Sequence, residues 1–294
     1  MSGPARDAFL PVDKPPGPTS HDVVAAARRA LGERRVGHTG TLDPFASGLL
    51  LLCVGRATRL AEFVTGMEKR YEAVARLGVT TDTLDTEGEV VAESEGWRDL
   101  GLGEVEAALA GLRGPILQVP PAYSAKKVAG VAAHRLTRRG AAPRLSPQEV
   151  TVYALEVSFF RPPEVGLGIR CSSGTYVRAL ARDLGDALGV GAHLTALRRT
   201  AVGPFNVADA LALDDLSAPE RVSSHWIGPL DALAHLPRTQ VDEAVVEDLR
   251  HGRAVPSPGC PDASPAVAAR GDELVAVGDL SGGRFRPRKV FAHD

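Results

Sequence analysis

The sequence RVGHTGTLDPFASGL at residues 35–49 leads directly into the apolar run LLLLCV at 49–54. Its glycines allow sharp turns and a close approach of the backbone to a ligand, so the first half predicts a loop. The apolar composition of residues 47–54 predicts a buried strand. Asp43 stands just before Pro44 in this loop, a position that biases it towards an extended conformation. The stretch therefore predicts a carboxylate held on a loop beside a rigid strand.

Two interpretations of Asp43 follow from these residues alone. A carboxylate fixed on a loop beside a strand suits a nucleophile or a general base. The alternative is that Asp43 caps a turn, which is a common use of aspartate in a turn. The residue pattern favours neither interpretation over the other.

Two further segments carry chemically versatile side chains. In CSSGTYVR at 171–178 a strand gives way to a helix, which exposes backbone N–H groups beside Tyr176 and Arg178. Tyr71 begins an alternating strand, and Lys14 stands where a strand passes into a proline-rich loop. Taken singly, each residue has a simpler structural explanation, the tyrosines as core residues and the two cations as solvated surface charges.

The order of predicted elements favours an α+β fold. A helix is predicted after Thr19 or Ser20, which suit its N-terminal cap, and another is predicted over residues 131–139. Paired strands are predicted on either side of Pro162-Pro163. Because strands and helices are interleaved without a regular β-α-β rhythm, a doubly wound parallel sheet is not expected.

A domain boundary is predicted near Leu236-Pro237, which divides the chain into regions 1–236 and 237–294. A length of 294 residues is compatible with two domains. The second region combines a predicted helix, a loop rich in proline and glycine at 255–266, and two short strands. It is therefore predicted to be small and mostly β.

Composition and missing motifs exclude several classes of protein. The hydrophobic fraction of 44% and the charged fraction of 24% are typical of globular proteins, and no run of about 18 apolar residues predicts a membrane span. No Walker A, GxGxxG, HExxH or GxSxG motif occurs. The eight histidines and three cysteines show no metal-ligand spacing. Together with the N-terminal segment, which lacks a signal-peptide pattern, the cysteines predict a cytoplasmic protein without a metal.

The charge distribution is uneven although the formal net charge is only -2. Residues 120–200 alone carry a net charge of +7. Such a segment could follow the phosphates of a nucleic acid if its charges lie on one face, and the alternative is an ordinary solvated surface. Within it, the basic residues at 120–146 are Lys126, Lys127, Arg135, Arg138, Arg139 and Arg144.

Taken together, these segments make the chain similar to the TruB family of tRNA pseudouridine synthases, which isomerise the uridine at position 55 in the T loop. The resemblance covers most of residues 9–205 in family order, and GHTGTLDP at 37–44 is its most specific block. Further matching blocks are DKPPGPTSHDVV at 13–24, KRYEAVARLG at 69–78, VPPAYSAKK at 119–127, GTYVRALARDLG at 174–185 and LTALRRTAVGPF at 194–205. The tail is similar to the family's PUA-type RNA-binding domain, by a weaker match.

The resemblance implies a role for each matching residue. Asp43 corresponds to the catalytic aspartate, Arg178 to the arginine that pairs with it, and Tyr71 to the aromatic residue that stacks on the target base. We expect the pairing to lower the pKa of Asp43. Residues implied to bind the substrate are His38, Tyr176, Leu197 and Lys14, and the basic residues at 120–146 correspond to an RNA-gripping insertion.

The resemblance also implies an overall architecture and a set of partners. The expected fold is a mixed, mainly antiparallel central sheet flanked by helices, followed by a small PUA-type domain. The expected partner is the T-stem-loop of tRNA, and no cofactor is required because the reaction is an isomerisation. A monomer is expected because no predicted helix carries an excess apolar face.

Two other functions remain open at this point. One is a tRNA-binding folding chaperone without essential catalysis. The other is an aspartate-dependent nucleosidase, which needs a second catalytic carboxylate. The acidic run TDTLDTEGE at 81–89 is the candidate for that second carboxylate, but its acidity is more typical of a solvated hairpin.

Overall fold

The structure is a computed structural model that describes residues 7–124, 127–128, 131–132 and 145–292. Its largest element is a ten-stranded sheet. The strands of this sheet are β1 (Ala8–Lys14), β2 (Val36–His38), β3 (Ser47–Val54), β4 (Lys69–Leu77), β7 (Gly114–Gln118), β10 (Gln148–Arg161), β11 (Glu164–Cys171), β12 (Ala192–Val202), β13 (Phe205–Asn206) and β14 (Leu211–Ala212).

The sheet is mixed and mainly antiparallel, as predicted. Its main path runs in the order β14-β1-β3-β12-β4-β11-β10-β7, with parallel pairing only between β1 and β14 and between β3 and β12. The parallel pair β3–β12 aligns Gly48 with Arg199. Gly48 has a φ of +104°, and a Cβ atom there would lie 2.3 Å from the Arg199 carbonyl oxygen. Glycine at this position therefore permits the close approach that joins the Asp43 loop to β12.

Helices cover the sheet and connect its strands. They are α1 (Ser20–Leu31), α2 (Ala61–Thr65), α3 (Leu102–Ala110), α4 (Val177–Ala187), α5 (Pro219–Ser223), α6 (Pro229–Ala232) and α7 (Glu243–Arg250). Thr19 caps α1 in a reciprocal box in which its hydroxyl accepts from the N–H of Asp22 at 3.1 Å and its own N–H donates to the Asp22 carboxylate at 2.8 Å. This leaves Ser20, the other predicted cap, available for a different contact.

The C-terminal region forms a five-stranded sheet of its own. Its strands are β15 (Arg238–Gln240), β16 (Val255–Pro256), β17 (Ala263–Arg270), β18 (Glu273–Ser281) and β19 (Arg284–Val290). They pair in the order β15-β17-β18-β19-β16. All of them follow Pro237. The mostly-β character predicted for this region is confirmed.

The apolar run at 49–54 is buried because both faces of β3 are covered. Leu50 and Leu52 belong to the core beneath the flanking helices. Leu49 and Leu51 belong to a second core, which also contains Val267 and other residues of the C-terminal sheet. A strand that is covered on both faces needs a continuous rather than alternating apolar sequence, and this second core joins the two sheets.

Two predicted elements differ from the structure. Residues 131–132, assigned in sequence to the start of a helix, instead form a strand, β9 (Val131–Ala132), paired with β8 (Lys127–Val128); residues 133–139 lie outside the described part. The predicted loop at 255–266 contains β16 and the start of β17, whose small residues carry little β signal. The remaining short strands, β5 (Val79–Thr81) and β6 (Val90–Glu93), form a hairpin around the acidic run. Within the described ranges no helix is long and apolar enough to span a membrane.

Candidate active site

A cavity of about 250 Å³ lies where the Asp43 loop, β4, β12 and the start of α4 meet. Four residues predicted from the sequence line it together, although they are distant in the chain. These four residues are Asp43, Tyr71, Tyr176 and Arg178, and a fifth predicted residue, Leu197, also lines the cavity. Long-range strand pairing brings them together, since β4 pairs with both β11 and β12.

The backbone on either side of Asp43 is held by buried polar side chains. The Ser20 hydroxyl accepts a hydrogen bond from the N–H of Leu42 at 2.8 Å and donates to the Leu42 carbonyl at 3.0 Å. The fully buried Lys14 ammonium donates to the Pro44 carbonyl at 3.1 Å. Lys14 therefore holds the backbone of the Asp43 loop and does not itself line the cavity. Ser20 also holds this loop, although the sequence predicted it only as a possible helix cap.

Arg178 grips the Asp43 carboxylate through two hydrogen bonds. Its Nε donates to Oδ2 at 2.9 Å and its Nη2 donates to Oδ1 at 3.1 Å. The guanidinium also donates to the carbonyls of Thr83 at 2.6 Å and Tyr123 at 2.9 Å, and its side chain is only 5% exposed. Such a fork fixes both the position and the orientation of the carboxylate.

A second carboxylate, that of Asp85, lies on the other side of Arg178. Its Oδ2 is 3.4 Å from Arg178 Nη1, and its Oδ1 accepts from the Thr83 hydroxyl at 2.5 Å and from the N–H of Glu87 at 3.0 Å. The Asp85 side chain is 4% exposed, so the interpretation of the acidic run as solvated is wrong for this residue. The sequence of the run gave no signal that one of its acids turns inward.

The pKa of Asp43 shifts in the direction opposite to the one expected from its partner. Withdrawal from water raises the pKa above its ordinary value of 3.8, and the neighbouring charge of Asp85 raises it further. The positive charges of Arg178 and Lys14 lower the pKa of Asp43, but by less than desolvation and Asp85 raise it. The expectation of a lowered pKa was wrong because it counted the ion pair and omitted desolvation.

Two aromatic side chains, Tyr71 and Tyr176, line the cavity together with aliphatic residues such as Leu197. Tyr71 on β4 aligns with Ile169 on one side and Arg199 on the other. Burial raises the pKa of the Tyr71 hydroxyl, so it is protonated at neutral pH. Tyr176 is positioned through its backbone, because its N–H donates to the Gln118 side chain at 2.8 Å.

His38 lies on β2 outside the lining of this cavity. Its ring contacts that of His21 edge-to-face, with centroids 6.2 Å apart, and its Nδ1 accepts from the N–H of Gly40 at 3.2 Å. Burial lowers the pKa of His38, which favours the neutral ring. The histidine is thus close to the Asp43 loop but does not reach the Asp43–Arg178 pair.

Lys69 and Arg199 also line the cavity, and sequence reasoning assigned neither of them to the site. Both stand in the matched blocks, but a lysine or arginine in a strand gives no local signal of burial. In the described part of the chain, no group of three or more histidine, cysteine or acidic side chains is arranged to hold a metal ion.

The predicted RNA-gripping residues cannot be placed in the site. Lys126, Arg135, Arg138, Arg139 and Arg144 lie outside the described residues, and Lys127 is described only as part of β8. Their role stays a prediction.

Comparisons with known proteins show which family the chain is similar to. The model of the TruB family pseudouridylate synthase N-terminal domain matches residues 28–177, and that of the tRNA pseudouridylate synthase B C-terminal domain matches residues 178–243. A tRNA pseudouridine synthase B of Symbiobacterium thermophilum is 47% identical, covering 84% of this chain and 83% of the relative. Its counterpart in Gloeobacter violaceus is 43% identical and covers 97% of this chain and 99% of the relative.

Solved structures share the fold over nearly the whole chain. A chain in a Cbf5–Nop10–Gar1 complex superposes with a TM-score of 0.75 and 28% identity, over 97% of this chain and 84% of that one. A chain of an H/ACA ribonucleoprotein bound to a substrate RNA containing 2′-deoxyuridine gives a TM-score of 0.75 and 26% identity, over 98% and 86% of the two chains. With the Asp43–Arg178 pair inside a cavity lined by tyrosines, these matches show that the chain belongs to the TruB family of pseudouridylate synthases.

Proposed function

We propose that the protein converts uridine to pseudouridine at position 55 in the T loop of tRNA. The observation that carries the proposal is the Asp43 carboxylate, gripped by two hydrogen bonds from Arg178 within a cavity lined by Tyr71 and Tyr176. The names of the tRNA-modifying relatives support tRNA as the substrate. The fold relative bound to a 2′-deoxyuridine RNA supports a uridine as the reacting residue.

The reaction cleaves the N1–C1′ bond and rejoins the base through C5. Either the Asp43 carboxylate attacks C1′, or it assists an elimination that removes a proton from the sugar. In both routes the electron pair of the broken bond leaves with uracil as an anion. After rotation, C5 bonds to C1′: in the first route the Asp43–C1′ bond breaks and frees the carboxylate, and in the second the sugar regains the proton that was removed. The C5 proton is then lost and N1 gains a proton, so the atoms balance without a cofactor.

The target nucleotide must leave the folded T loop before Asp43 can reach its sugar. Extrusion costs a few kcal/mol, which stacking of the base on an aromatic side chain offsets. We assign this stacking to Tyr71, the enclosure of the uracil to Tyr176 and Leu197, and a contact with the displaced loop to His38. The cavity, about 250 Å³ in volume, would hold the released base near C1′ while it rotates.

RNA contacts outside the cavity are assigned to two regions. The basic insertion at 120–146 would hold the T arm through its phosphates, and residues 237–294 would act as a PUA-like RNA-binding domain next to a catalytic domain at 1–236. Phosphate contacts of this kind position the RNA and do not select the base. We further propose a monomer that works in the cytoplasm, where its three unpaired cysteines stay reduced.

The test is incubation of the protein with an unmodified T-stem-loop RNA, followed by nucleoside analysis. Pseudouridine at the target position supports the proposal, and a matched RNA with cytidine at that position is the control. Free uracil would instead identify a nucleosidase, and unchanged uridine with tight binding would identify a folding chaperone. Either of those results contradicts the proposed function.

A further inference from the structure

Positively charged residues outnumber negatively charged ones in the described lining of the active-site cavity. Among the residues that the structure describes, the charged residues of the lining are one acid, Asp43, and three cations, Lys69, Arg178 and Arg199. Arg178 lies between two carboxylates, those of Asp43 and Asp85. Lys69 and Arg199 form no ion pair with a carboxylate of the described residues. The described cavity wall therefore carries an excess of positive charge.

Lys69 is held entirely by backbone carbonyls. Its ammonium donates to the carbonyls of Thr65 at 2.6 Å and Met67 at 2.7 Å, and the residue is 6% exposed. No carboxylate of the described residues forms an ion pair with it. Desolvation and the nearby Arg199 lower its pKa to about 8, so most of it is still protonated at neutral pH.

Arg199, on the neighbouring strand, is held mainly by backbone carbonyls and also forms a hydrogen bond with the Tyr71 hydroxyl. Its Nε donates to the Leu49 carbonyl at 2.8 Å, its Nη2 to the Gly40 carbonyl at 2.9 Å and its Nη1 to the Thr41 carbonyl at 3.3 Å. The residue is 2% exposed, and no ion pair to a carboxylate is found for it among the residues that the structure describes.

Burying two cations side by side is costly and calls for an explanation. An unpaired charge taken out of water loses its favourable solvation, and carbonyl dipoles recover part of this loss without neutralising the charge. Neutral side chains could hydrogen-bond the same carbonyls at a lower cost. What they could not supply is a fixed positive field, which is strong in a water-poor cavity.

The proposed reaction creates the charge that such a field would favour. When the N1–C1′ bond breaks, its electron pair goes to uracil, whose negative charge spreads over N1, O2 and O4. Asp43 itself carries a negative charge before the reaction and cannot stabilise this anion. Preorganised positive charge aimed at a developing anion is a common and large source of rate enhancement.

We propose that Lys69 and Arg199 form a cationic wall that stabilises the uracil anion between its release from C1′ and its reattachment through C5. The proposal rests on the proposed function and adds to it an electrostatic role for two residues behind the stacking aromatic. They act through their charge on the reacting base, whereas Asp43 acts on the sugar and Arg178 orients Asp43.

The test compares two substrates whose leaving bases differ in basicity. T-stem-loop RNAs carry either uridine or 5-fluorouridine at the target position, and loss of the starting nucleoside is followed in single turnover at slightly acidic pH, where both bases keep their N3 proton. Fluorine withdraws electrons and stabilises the released anion by itself, so the fluorinated substrate depends less on the wall. The variants are Lys69→Met, which removes the charge, and Lys69→Arg, which keeps it.

A matched control is Arg198→Met, on the same strand as Arg199. Its side chain is 38% exposed and pairs with Asp13 at 2.7 Å, so it removes a cation that already has a carboxylate partner. We expect Lys69→Met to slow uridine turnover about 100-fold, the size seen when one preorganised donor to a developing anion is lost. The ratio of the 5-fluorouridine rate to the uridine rate should then rise about tenfold, a loss of selective stabilisation of roughly 1.4 kcal/mol. Lys69→Arg and Arg198→Met should leave the ratio unchanged.

Equal slowing of both substrates by Lys69→Met would show a merely structural role and overturn the proposal. Absence of pseudouridine from the wild-type protein with the uridine RNA would instead contradict the proposed function. If Lys69→Met does not fold, as judged by circular dichroism, the wild-type enzyme is titrated with 5-nitrouracil, which ionises readily, and with thymine, which stays neutral. Inhibition that strengthens as 5-nitrouracil ionises supports the wall, and inhibition that does not strengthen overturns it.

Discussion

Arg178 in the active site and Arg288 in the C-terminal sheet make the same kind of contact in different surroundings. Each guanidinium grips one aspartate with two hydrogen bonds, Arg178 to Asp43 and Arg288 to Asp279. The Arg178 side chain is 5% exposed, whereas that of Arg288 is 50% exposed. The geometry of the pair is therefore shared. Because the two aspartates are similarly exposed, at 33% for Asp43 and 29% for Asp279, the burial of the arginine is what separates the two regions.

This difference decides what each pair can contribute. Removing one partner of a buried pair leaves an uncompensated charge and costs about 3–5 kcal/mol, whereas an exposed pair contributes about 0.2–1 kcal/mol. In the active site the pair also fixes a reacting group, so its removal changes chemistry as well as stability. At the C-terminal sheet the same fork can be removed with little consequence.

The largest expected effect is that of Asp43→Asn. The substitution keeps the size of the side chain but removes its charge, its nucleophilicity and its capacity as a base. Pseudouridine formation should fall below detection while RNA binding stays within a few-fold of wild type, as measured by nucleoside analysis and filter binding. Turnover near the wild-type rate would show that the buried pair is not the catalytic feature.

Substitution of Arg178 should cause the second-largest loss of turnover. Arg178→Lys supplies a point charge without the planar fork, so Asp43 and Asp85 lose their fixed orientation. We expect turnover about 100-fold below wild type, comparable to the loss of one preorganised donor, and a lower unfolding temperature. The matched control is Arg288→Lys, for which both should be near wild type. A near-normal rate for Arg178→Lys would mean that only generic positive charge is required.

The pH dependence of turnover should reflect the burial of Asp43. Because desolvation raises its pKa above the ordinary value, protonation inactivates the enzyme at a higher pH than it would for an exposed aspartate. The rate should therefore rise with pH through a midpoint above 3.8, the ordinary pKa of an aspartate. Single-turnover rates across the acid range measure it, with folding followed by circular dichroism. A midpoint at or below the ordinary value contradicts the dominance of desolvation.

Substitutions in the basic insertion at 120–146 are expected to change turnover less than those at Asp43 or Arg178. Reversing the charges of Lys126, Lys127, Arg138 and Arg139 together should weaken RNA binding and flatten its salt dependence, by about 0.7–0.9 in slope for each phosphate that is no longer neutralised. Turnover at saturating RNA should change much less than binding does. An unchanged slope in a salt titration would identify these residues as ordinary solvated surface.

The smallest effect is expected for Arg288→Ala. Half of this side chain is in solvent, so removal of the pair should reduce the free energy of unfolding by no more than about 1 kcal/mol. Urea unfolding and turnover at the target uridine measure the two consequences, and turnover should be unaffected. A large decrease in stability would show that the contrast between the two arginine pairs does not rest on solvent exposure.

Local sequence determined the elements that periodicity and capping encode. The apolar run at 47–54 forms the strand Ser47–Val54, and the helix expected after Thr19 begins at Ser20. The loop carrying Asp43 was also predictable, because glycines and the proline that follows mark it. The residue pattern alone left the role of Asp43 open, and its resemblance to the TruB family indicated one.

Tertiary structure alone decided which charges are buried and how they are paired. Asp85 and the acids around it look alike in sequence, yet only the fold turns Asp85 inward against Arg178, 93 residues further along the chain. Likewise, Lys69 and Arg199 become neighbours of one cavity because β4 pairs with β12. The expectation for the pKa of Asp43 failed for the same reason, since desolvation depends on everything packed around a group. Periodicity is a local property of the chain, whereas burial is set by contacts between residues far apart in sequence.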